Sequence, residues 1–138
     1  MPFKMESMPD DNTELISYRI DQARNTITEA EFQIEHGFLG IAVNRIYYGM
    51  FYILLALAMK KGFKTSKHRQ LLGWFNKEFV KTGKVSRKAG SIVNKAFEDR
   101  SDGDYGLFIE FRKEEIIEKL EEMRLFISEL EEFIRSDK

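Results

Sequence analysis

Residues 39–61 read LGIAVNRIYYGMFYILLALAMKK, and this stretch decides the fold. Its apolar side chains occupy nearly all sides of a helix, which is typical of a central helix that other elements cover. The uncharged run 46–59 is shorter than the roughly 18 to 20 residues that span a bilayer, and basic residues bracket it. The sequence therefore predicts a buried helix over 39–61 in a soluble bundle, ended by Gly62.

Helical periodicity recurs on both sides of this stretch. An amphipathic helix is predicted from Asn12 to a stop at Gly37, and a shorter helix over 66–81. A fourth helix follows the N-cap Ser86 and reaches Arg100, after which residues 101–104 have turn composition. The last helix is long, and in it apolar residues again step by four and three. The inward positions of the first and last helices are predicted to be Ile16, Ile20, Ala23, Ile27, Ala30 and Ile34, and Ile116, Leu120, Met123, Ile127, Leu130 and Ile134.

Four substantial helices and one shorter one, joined by brief connections, predict an all-α fold. The expected architecture is an antiparallel up-and-down helical bundle of four to five helices. Residues 1–12 are expected to form a flexible N-terminal arm, and residues 13–138 the single bundle domain. The opening residues have no apolar run typical of a secretory signal, so a cytoplasmic location without membrane contact is predicted.

The composition excludes several kinds of chemistry. The 138 residues include no cysteine, which excludes disulfides, cysteine-ligated metals and thiol nucleophiles. The two histidines, His36 and His68, form no short-range pair, which disfavours a histidine-rich metal site. We therefore expect no metal and no cofactor, and any catalysis must be acid–base chemistry by few residues.

Charge is unevenly distributed along the chain, although the formal net charge is -1. Residues 60–105 contain twelve Lys and Arg against five Asp and Glu, whereas each flank has a surplus of four acidic residues. A basic segment with interleaved aromatic residues could attract RNA or a nucleotide phosphate. The alternative is that the lysines serve solubility and the aromatic residues form core. The aromatic residues concerned are Phe63, Trp74, Phe75, Phe79 and Phe97.

Two arginines occupy helical faces that otherwise carry apolar or aromatic residues. Arg45 shares a stripe of the second helix with Ile41, Tyr48, Tyr52, Leu55 and Met59, and is expected among buried neighbours. Arg100 follows Val93 and Phe97 at helical spacing. A guanidinium there needs a carboxylate, and the nearest to Arg100 in sequence is Asp104. A phosphate site and a structural salt bridge that fixes helix register both fit this pattern. The residues that could complete the polar cluster are Asn44, Tyr47 and Tyr105.

Four segments occur in a characteristic order. They read AVNRIYYGMF (42–51), KTSKH (64–68), FVKTG (79–83) and RSDGDY (100–105). In this order and spacing they resemble the HEPN domain family, named for higher eukaryotes and prokaryotes and for nucleotide binding. The similarity spans about residues 14–135.

The resemblance implies a small helical bundle that is commonly a homodimer and is often encoded beside a minimal nucleotidyltransferase. Many members are metal-independent ribonuclease toxins neutralised by that partner. Their motif is an arginine followed four to six residues later by a histidine, at a cleft between two protomers. Arg100 matches the arginine, but Tyr105, Gly106 and Leu107 occupy the positions of the histidine. The chain instead resembles a branch with arginine, three residues and then Asp-Tyr.

The missing histidine changes the chemistry available. RNA cleavage through the 2′-hydroxyl needs a base, a cation and an acid. An imidazole with a pKa near 6.5 suits this work at neutral pH better than Asp near 3.9 or Tyr near 10. Asp104 could act as base only if burial raised its pKa, whereas pairing with an arginine would lower it. His68 could substitute if the fold brought it close, although a histidine that begins a short helix more often caps it or faces solvent.

Three functions follow from the sequence. The first is a nucleotide- or RNA-phosphate-binding module that pairs with a nucleotidyltransferase in a toxin–antitoxin-type system. The second is a metal-independent ribonuclease toxin that uses Arg100 with Asp104 or His68. The third is a non-catalytic dimeric scaffold with structural arginines. By resemblance alone, Tyr105 is also a candidate for modification by the partner. The residues expected to bind phosphate in the first case are Asn44, Arg45, Tyr48, Arg100 and Tyr105.

Overall fold

A computed structural model of the chain describes the backbone of residues 8–105 and 110–136, and the side chains of residues 12–99 and 110–136. Over these residues the chain is helical and contains no strand, which confirms the predicted all-α bundle. The elements are α1 (Met8–Glu35), α2 (Leu39–Lys61), α3 (His68–Phe75), a π-helical segment (Asn76–Val80), α4 (Arg87–Tyr105) and α5 (Lys113–Ser136).

Helix α2 is the centre of the bundle, as its composition predicts. It packs against α1, α3, α4 and α5, and Ile53, Ala56 and Leu57 are fully buried. Within the described ranges, α2 is the one helix long and apolar enough to cross a membrane, and 61% of its most apolar window is buried by the protein itself. That burial is typical of a core helix. The cytoplasmic location stays a prediction.

Two glycines end α1 and α2 where the sequence predicts. Gly37 and Gly62 have φ of 78° and 75°, in the left-handed region that glycine adopts without steric cost. After Gly62, the Phe63 N–H donates to the Ala58 carbonyl at 2.9 Å, and the equivalent bond at Gly37 runs from Phe38 to Gln33. Because residues 36–38 alone separate α1 from α2, the two helices pack as antiparallel neighbours.

The predicted inward faces of α1 and α5 are confirmed, and Ile20, Ala23, Met123 and Ile127 are among their fully buried residues. Helix α1 begins at Met8, so residues 8–12 of the predicted arm are helical, whereas residues 1–7 lie outside the described residues.

The stretch predicted as one helix over 66–81 is divided. Helix α3 begins at His68 and changes to π-helical turns at Asn76. Together with α4, these elements form a helical hairpin, the α3–α4 hairpin. The Asn76 and Asn94 amides exchange two hydrogen bonds of 3.0 Å across it, and a Cβ at Gly90 would lie 2.8 Å from Val80 Cγ1. The missing side chain of Gly90 therefore permits a close approach of the two arms.

The start of α4 matches the prediction, and its end does not. The Ser86 hydroxyl accepts a hydrogen bond from the Ala89 N–H at 3.0 Å, so Ser86 is the predicted N-cap. The predicted turn over 101–104 is wrong, because α4 continues to Tyr105. This stretch has no proline, and a single glycine costs only about 1 kcal/mol inside a helix. The backbones of Arg100, Asp104 and Tyr105 thus belong to α4, whereas their side chains lie outside the described residues.

Candidate functional site

His68 and the middle of α2 form a compact group of side chains. The imidazole of His68, the first residue of α3, lies 3.9 Å from the Phe51 ring and within 6 Å of the Tyr47 and Tyr48 rings, measured between ring centroids. The Tyr47 hydroxyl and His68 Nδ1 form a hydrogen bond of 3.0 Å. His68 is half-buried, so it is neither a simple cap nor a surface residue. We call the α2–α3 cluster the set Asn44, Arg45, Tyr47, Tyr48, Phe51 and His68.

Arg45 lies on the other side of Tyr48. Its guanidinium carbon is 5.4 Å from the centre of the Tyr48 ring, a cation–π contact. One guanidinium nitrogen contacts the Glu29 carboxylate at 3.3 Å, and the other donates to the Asn44 amide oxygen at 3.0 Å. The carboxylate that Arg45 finds among the described side chains is therefore Glu29 of α1. Because 29% of the Arg45 side chain is exposed, the guanidinium can still reach a ligand from solvent.

The predicted burial of the Arg45 stripe holds only in part. Ile41 is 51% exposed, whereas Tyr48, Tyr52, Leu55 and Met59 are half-buried, the first three against the core. The fully buried side of α2 instead carries residues such as Ala42, Ile46 and Ile53. The physical reason is that α2 is apolar on nearly all sides, so its periodicity does not indicate which side the other helices cover.

Helix α4 contacts the α2–α3 cluster through Phe97, about one turn before the motif segment 100–105. The Phe97 ring centroid lies 5.9 Å from that of Tyr47, and the guanidinium carbon of Arg69 lies 5.5 Å from the Phe97 ring. Arg100 follows Phe97 by three residues on the same helix. The roles of Arg100, Asp104 and Tyr105 remain predictions.

The cluster combines three kinds of chemistry. Arg45 supplies a permanent positive charge, Tyr48 and Phe51 supply partly exposed ring faces on which a base can stack, and His68 supplies an imidazole ring. Among the described side chains, no group of three or more His, Asp or Glu residues comes together as a metal site would require.

The electrostatic layout separates the two sides of the bundle. Helix α1 carries two basic and seven acidic residues, and α5 carries four basic and eight acidic residues. Residues 68–105, which span the α3–α4 hairpin, carry eight basic and five acidic residues. The basic segment predicted from the sequence is thus a distinct layer of the molecule. A polyanion would be directed toward this layer and away from α1 and α5.

Glu29 and Phe51 were not predicted to belong to the site, although the position of Glu29 could have been inferred from the sequence. Glu29 and Arg45 are equidistant from Gly37, so an antiparallel α1–α2 hairpin turning at that glycine brings them together. Phe51 had no such signal, since its contact with His68 depends on how the connection 62–67 returns α3 to α2.

Comparison with known proteins agrees with this fold and defines the class of protein. The family model for the HEPN domain matches residues 16–133, so the chain belongs to the HEPN domain family. The resemblance in its four sequence segments is thereby confirmed.

Relatives match over most of their length. A Thermotoga maritima protein named "UPF0332 protein" is 40% identical over 120 residues, which cover 87% of this chain and 91% of the relative. A Methanocaldococcus jannaschii protein named "Putative toxin MJ0142" is 32% identical over 117 residues, covering 85% and 80% of the two chains. A second protein of that organism, "Putative toxin MJ0605", is 30% identical over 95 residues, covering 69% and 71%.

Proposed function

We propose that this chain is a toxin-type HEPN protein that binds a nucleotide or RNA phosphate at the α2–α3 cluster, together with Arg100 and Tyr105 of α4. The observation that carries the proposal is the gathering of Arg45, Tyr48 and His68 in one half-exposed place. The toxin names of the two Methanocaldococcus jannaschii relatives support the biological role.

Each residue has a role that its chemistry allows. Arg45 and Arg100 bind phosphate oxygens, because a guanidinium offers paired donors and a permanent charge. Asn44 orients Arg45 through the hydrogen bond to its guanidinium. Tyr48 provides a ring for a base, and Tyr105 a hydroxyl near the phosphate. The contact between Phe97 and Tyr47 supports this arrangement, since residues 97 and 100 lie one turn apart on α4.

The test of binding uses a 5′-labelled single-stranded RNA decamer and fluorescence anisotropy. Arg100→Ala should weaken binding about tenfold or more, because a charged phosphate contact is lost without a substitute. The control is Lys113→Ala, which removes an exposed charge at the start of α5. An unchanged affinity with a lowered midpoint of thermal unfolding would contradict the proposal and favour the scaffold function, in which Arg100 is structural.

The proposed partners are a second copy of the chain and a minimal nucleotidyltransferase. The half-exposed stripe of α2, with Ile41, Tyr52 and Leu55, is the surface we assign to the homodimer. Light scattering coupled to a sizing column should give about twice the 16.3 kDa mass of one chain. Co-expression with a nucleotidyltransferase encoded beside the gene should yield a stable complex, and clean separation of the two proteins would contradict that pairing.

A second function, metal-independent cleavage of RNA, is favoured by the hydrogen bond between His68 and Tyr47. In this reaction His68 or Asp104 removes the proton of a ribose 2′-hydroxyl. The oxygen attacks phosphorus, the bond to the 5′-oxygen breaks, and that oxygen takes up a proton. The products are a 2′,3′-cyclic phosphate and a 5′-hydroxyl. Arg100 would stabilise the charge on the phosphorane.

The two functions are separated by incubating RNA with the protein and a chelator. Cleavage with cyclic phosphate ends, lost in both Arg100→Ala and His68→Ala, would establish the ribonuclease. Cleavage lost in Asp104→Asn but kept in His68→Ala would assign the base to Asp104. If the protein at saturating concentration binds RNA but does not cleave it, the binding function is supported and the ribonuclease function is excluded.

A further inference from the structure

The α3–α4 hairpin carries a line of cations that continues away from the α2–α3 cluster. We propose that this line, the hairpin track of Arg69, Lys77, Lys81 and Lys84, binds the backbone of an RNA strand longer than the cluster can hold. This inference rests on the proposed RNA-binding function and adds the length and path of the ligand.

The spacing of the track follows one side of the hairpin's first arm. Arg69, Lys77 and Lys81 are separated by multiples of four residues, and all three are exposed. In an α-helix, side chains four residues apart differ by slightly more than one full turn around the helix axis. The π-helical segment has more residues per turn, so there the same spacing gives slightly less than a full turn. The three cations therefore lie on one side of this arm.

The row is open to a ligand along its length. Gly73 occupies the position between Arg69 and Lys77, and a Cβ there would meet no atom within 4 Å. Twelve residues at about 1.5 Å each separate Arg69 from Lys81 by about 18 Å. At about 3.4 Å per nucleotide in a helical strand, that distance corresponds to about five nucleotides.

One end of the track adjoins the cluster. Arg69 contacts the Phe97 ring at 5.5 Å, and Phe97 in turn packs against Tyr47. At the other end the Lys84 ammonium lies 5.6 Å from the Phe79 ring, in the turn that leads to α4. A strand whose phosphate sits at the cluster can therefore continue over Arg69 toward Lys84 without leaving the basic layer.

The four cations of the track form no ion pair with another described side chain. Among the described side chains, Arg24, Arg45, Arg124 and Arg135 pair with glutamates of other turns or helices. The track residues form no such pair with any described side chain, although Glu78 lies among them in sequence. Unpaired exposed cations in a row release counterions when they bind a repeating phosphate backbone. A row of this kind favours RNA over an acidic protein surface, whose charges do not repeat at a fixed spacing.

The test measures the affinity of single-stranded oligouridines of three and ten nucleotides by fluorescence anisotropy. The variant Lys77→Gln/Lys81→Gln should bind the decamer about tenfold more weakly and the trimer within twofold of wild type. The slope of log affinity against log salt for the decamer should fall by about 1.4, which is about 0.7 for each lost phosphate contact. The matched control, Arg19→Gln/Arg24→Gln, removes two positive charges from α1, which packs on α2 and α5. It should change neither oligonucleotide affinity.

The outcomes distinguish the track from the function on which it rests. Equal decamer affinity in the Lys77→Gln/Lys81→Gln variant and the control would overturn the track while leaving the cluster proposal intact. A wild-type protein that binds neither oligonucleotide would overturn both. A variant that binds RNA normally but no longer forms a complex with a co-expressed nucleotidyltransferase would also overturn the RNA track and assign these lysines to the partner. Circular dichroism melting of each variant verifies that it is folded.

Discussion

The Tyr47 hydroxyl fixes the orientation of the His68 ring, because it bonds to Nδ1 while the Phe51 face covers the ring from the side. Tyr47→Phe keeps the aromatic packing and deletes the hydroxyl that bonds to His68 Nδ1. We expect the free energy of unfolding to fall by about 1 kcal/mol, the usual net contribution of such a hydrogen bond. Urea denaturation measures it.

The matched control for this prediction is Tyr52→Phe, five residues further along α2, where the ring is half-exposed. It should leave stability within about 0.5 kcal/mol of wild type. Equal losses in Tyr47→Phe and Tyr52→Phe would mean that the bond to His68 adds no stability. If His68 is the base for RNA cleavage, Tyr47→Phe should also alter the pH profile of that cleavage, which a merely structural role would not do.

Glu29 holds Arg45 and competes with any anionic ligand for it. Glu29→Gln should therefore raise the affinity for single-stranded RNA about threefold. Stability should fall by less than about 1 kcal/mol, since the pair is partly exposed. Fluorescence anisotropy and urea denaturation of the same preparation give both values.

Glu35→Gln removes one exposed acidic charge from the end of the same helix and serves as the control. If both substitutions raise the affinity equally, the gain comes from net charge rather than from release of Arg45. An affinity that falls in Glu29→Gln would show that the carboxylate orients Arg45 for binding.

At the scale of helices, α1 and α5 approach the central helix closely at Gly49 of α2. A Cβ there would contact the Met123 side chain of α5 and lie 3.3 Å from the Thr26 side chain of α1. Gly49→Val should therefore destabilise the protein by about 2 kcal/mol, within the usual cost of overpacking. The measurement is chemical denaturation, and retained wild-type stability would show that α1 and α5 can move apart at no cost.

Gly73 in α3 gives the opposite expectation. No atom lies within 4 Å of a Cβ at that position, and the residue is exposed. Gly73→Ala should thus stabilise the fold by about 0.5 to 1 kcal/mol through helix propensity alone. This variant is the control that separates the loss of a glycine from the filling of space at Gly49.

The junction of α1 and α5 contains a carboxylate shared between two arginines. Burial raises the pKa of Glu131, but hydrogen bonds and charges from Arg135 and Arg24 outweigh it and hold that pKa below its ordinary value. A lowered pKa stabilises the fold above the unfolded-state pKa of about 4.3, and the gain is lost as pH falls through the folded-state pKa. Glu131→Gln should therefore be less stable than wild type by about 1 kcal/mol above pH 5, and the gap should close as the pH falls through the lowered folded-state pKa.

Urea denaturation from pH 3 to 7 tests this dependence, with Glu132→Gln as an exposed control on the same helix. A gap between wild type and Glu131→Gln that stays constant with pH would mean that the carboxylate charge is not the source of the stability. Glu132→Gln should show no comparable change over the same range.

Helix boundaries could be predicted where a residue type dictates them, as Gly62 does at the end of α2 and Ser86 at the start of α4. Neither the π-helical turns at Asn76 nor the pairing of its amide with that of Asn94 could be predicted, because the two asparagines lie in separate elements. The exposed side of α2 could not be predicted either, since its apolar pattern is nearly uniform.

At the scale of the whole molecule, the net charge of -1 conceals a basic layer and an acidic layer. The order of the helices was predictable because each amphipathic segment has one face to bury. The segregation of charge along the chain was also visible in the sequence. The packing of α3 against α2 could be seen only in the structure. It brings His68 into contact with Tyr47, although 21 residues separate them in sequence.

Membership in the HEPN domain family fits this layout, and Tyr105, Gly106 and Leu107 occupy the positions where the ribonuclease motif implied by the resemblance would place a histidine. His68 lies in the α2–α3 cluster and supplies an imidazole from a different part of the chain. The proposed function therefore depends on whether the cluster and the end of α4 bind one ligand together.

The most direct measurement is nuclear magnetic resonance of the ¹⁵N-labelled protein during titration with a single-stranded RNA decamer. We predict the largest amide shifts in 44–51, at His68 and in 97–105, with smaller shifts along 69–84 and almost none in α1 outside Glu29. Shifts confined to α1 and α5, or no shifts at millimolar RNA, would contradict the assignment of this site.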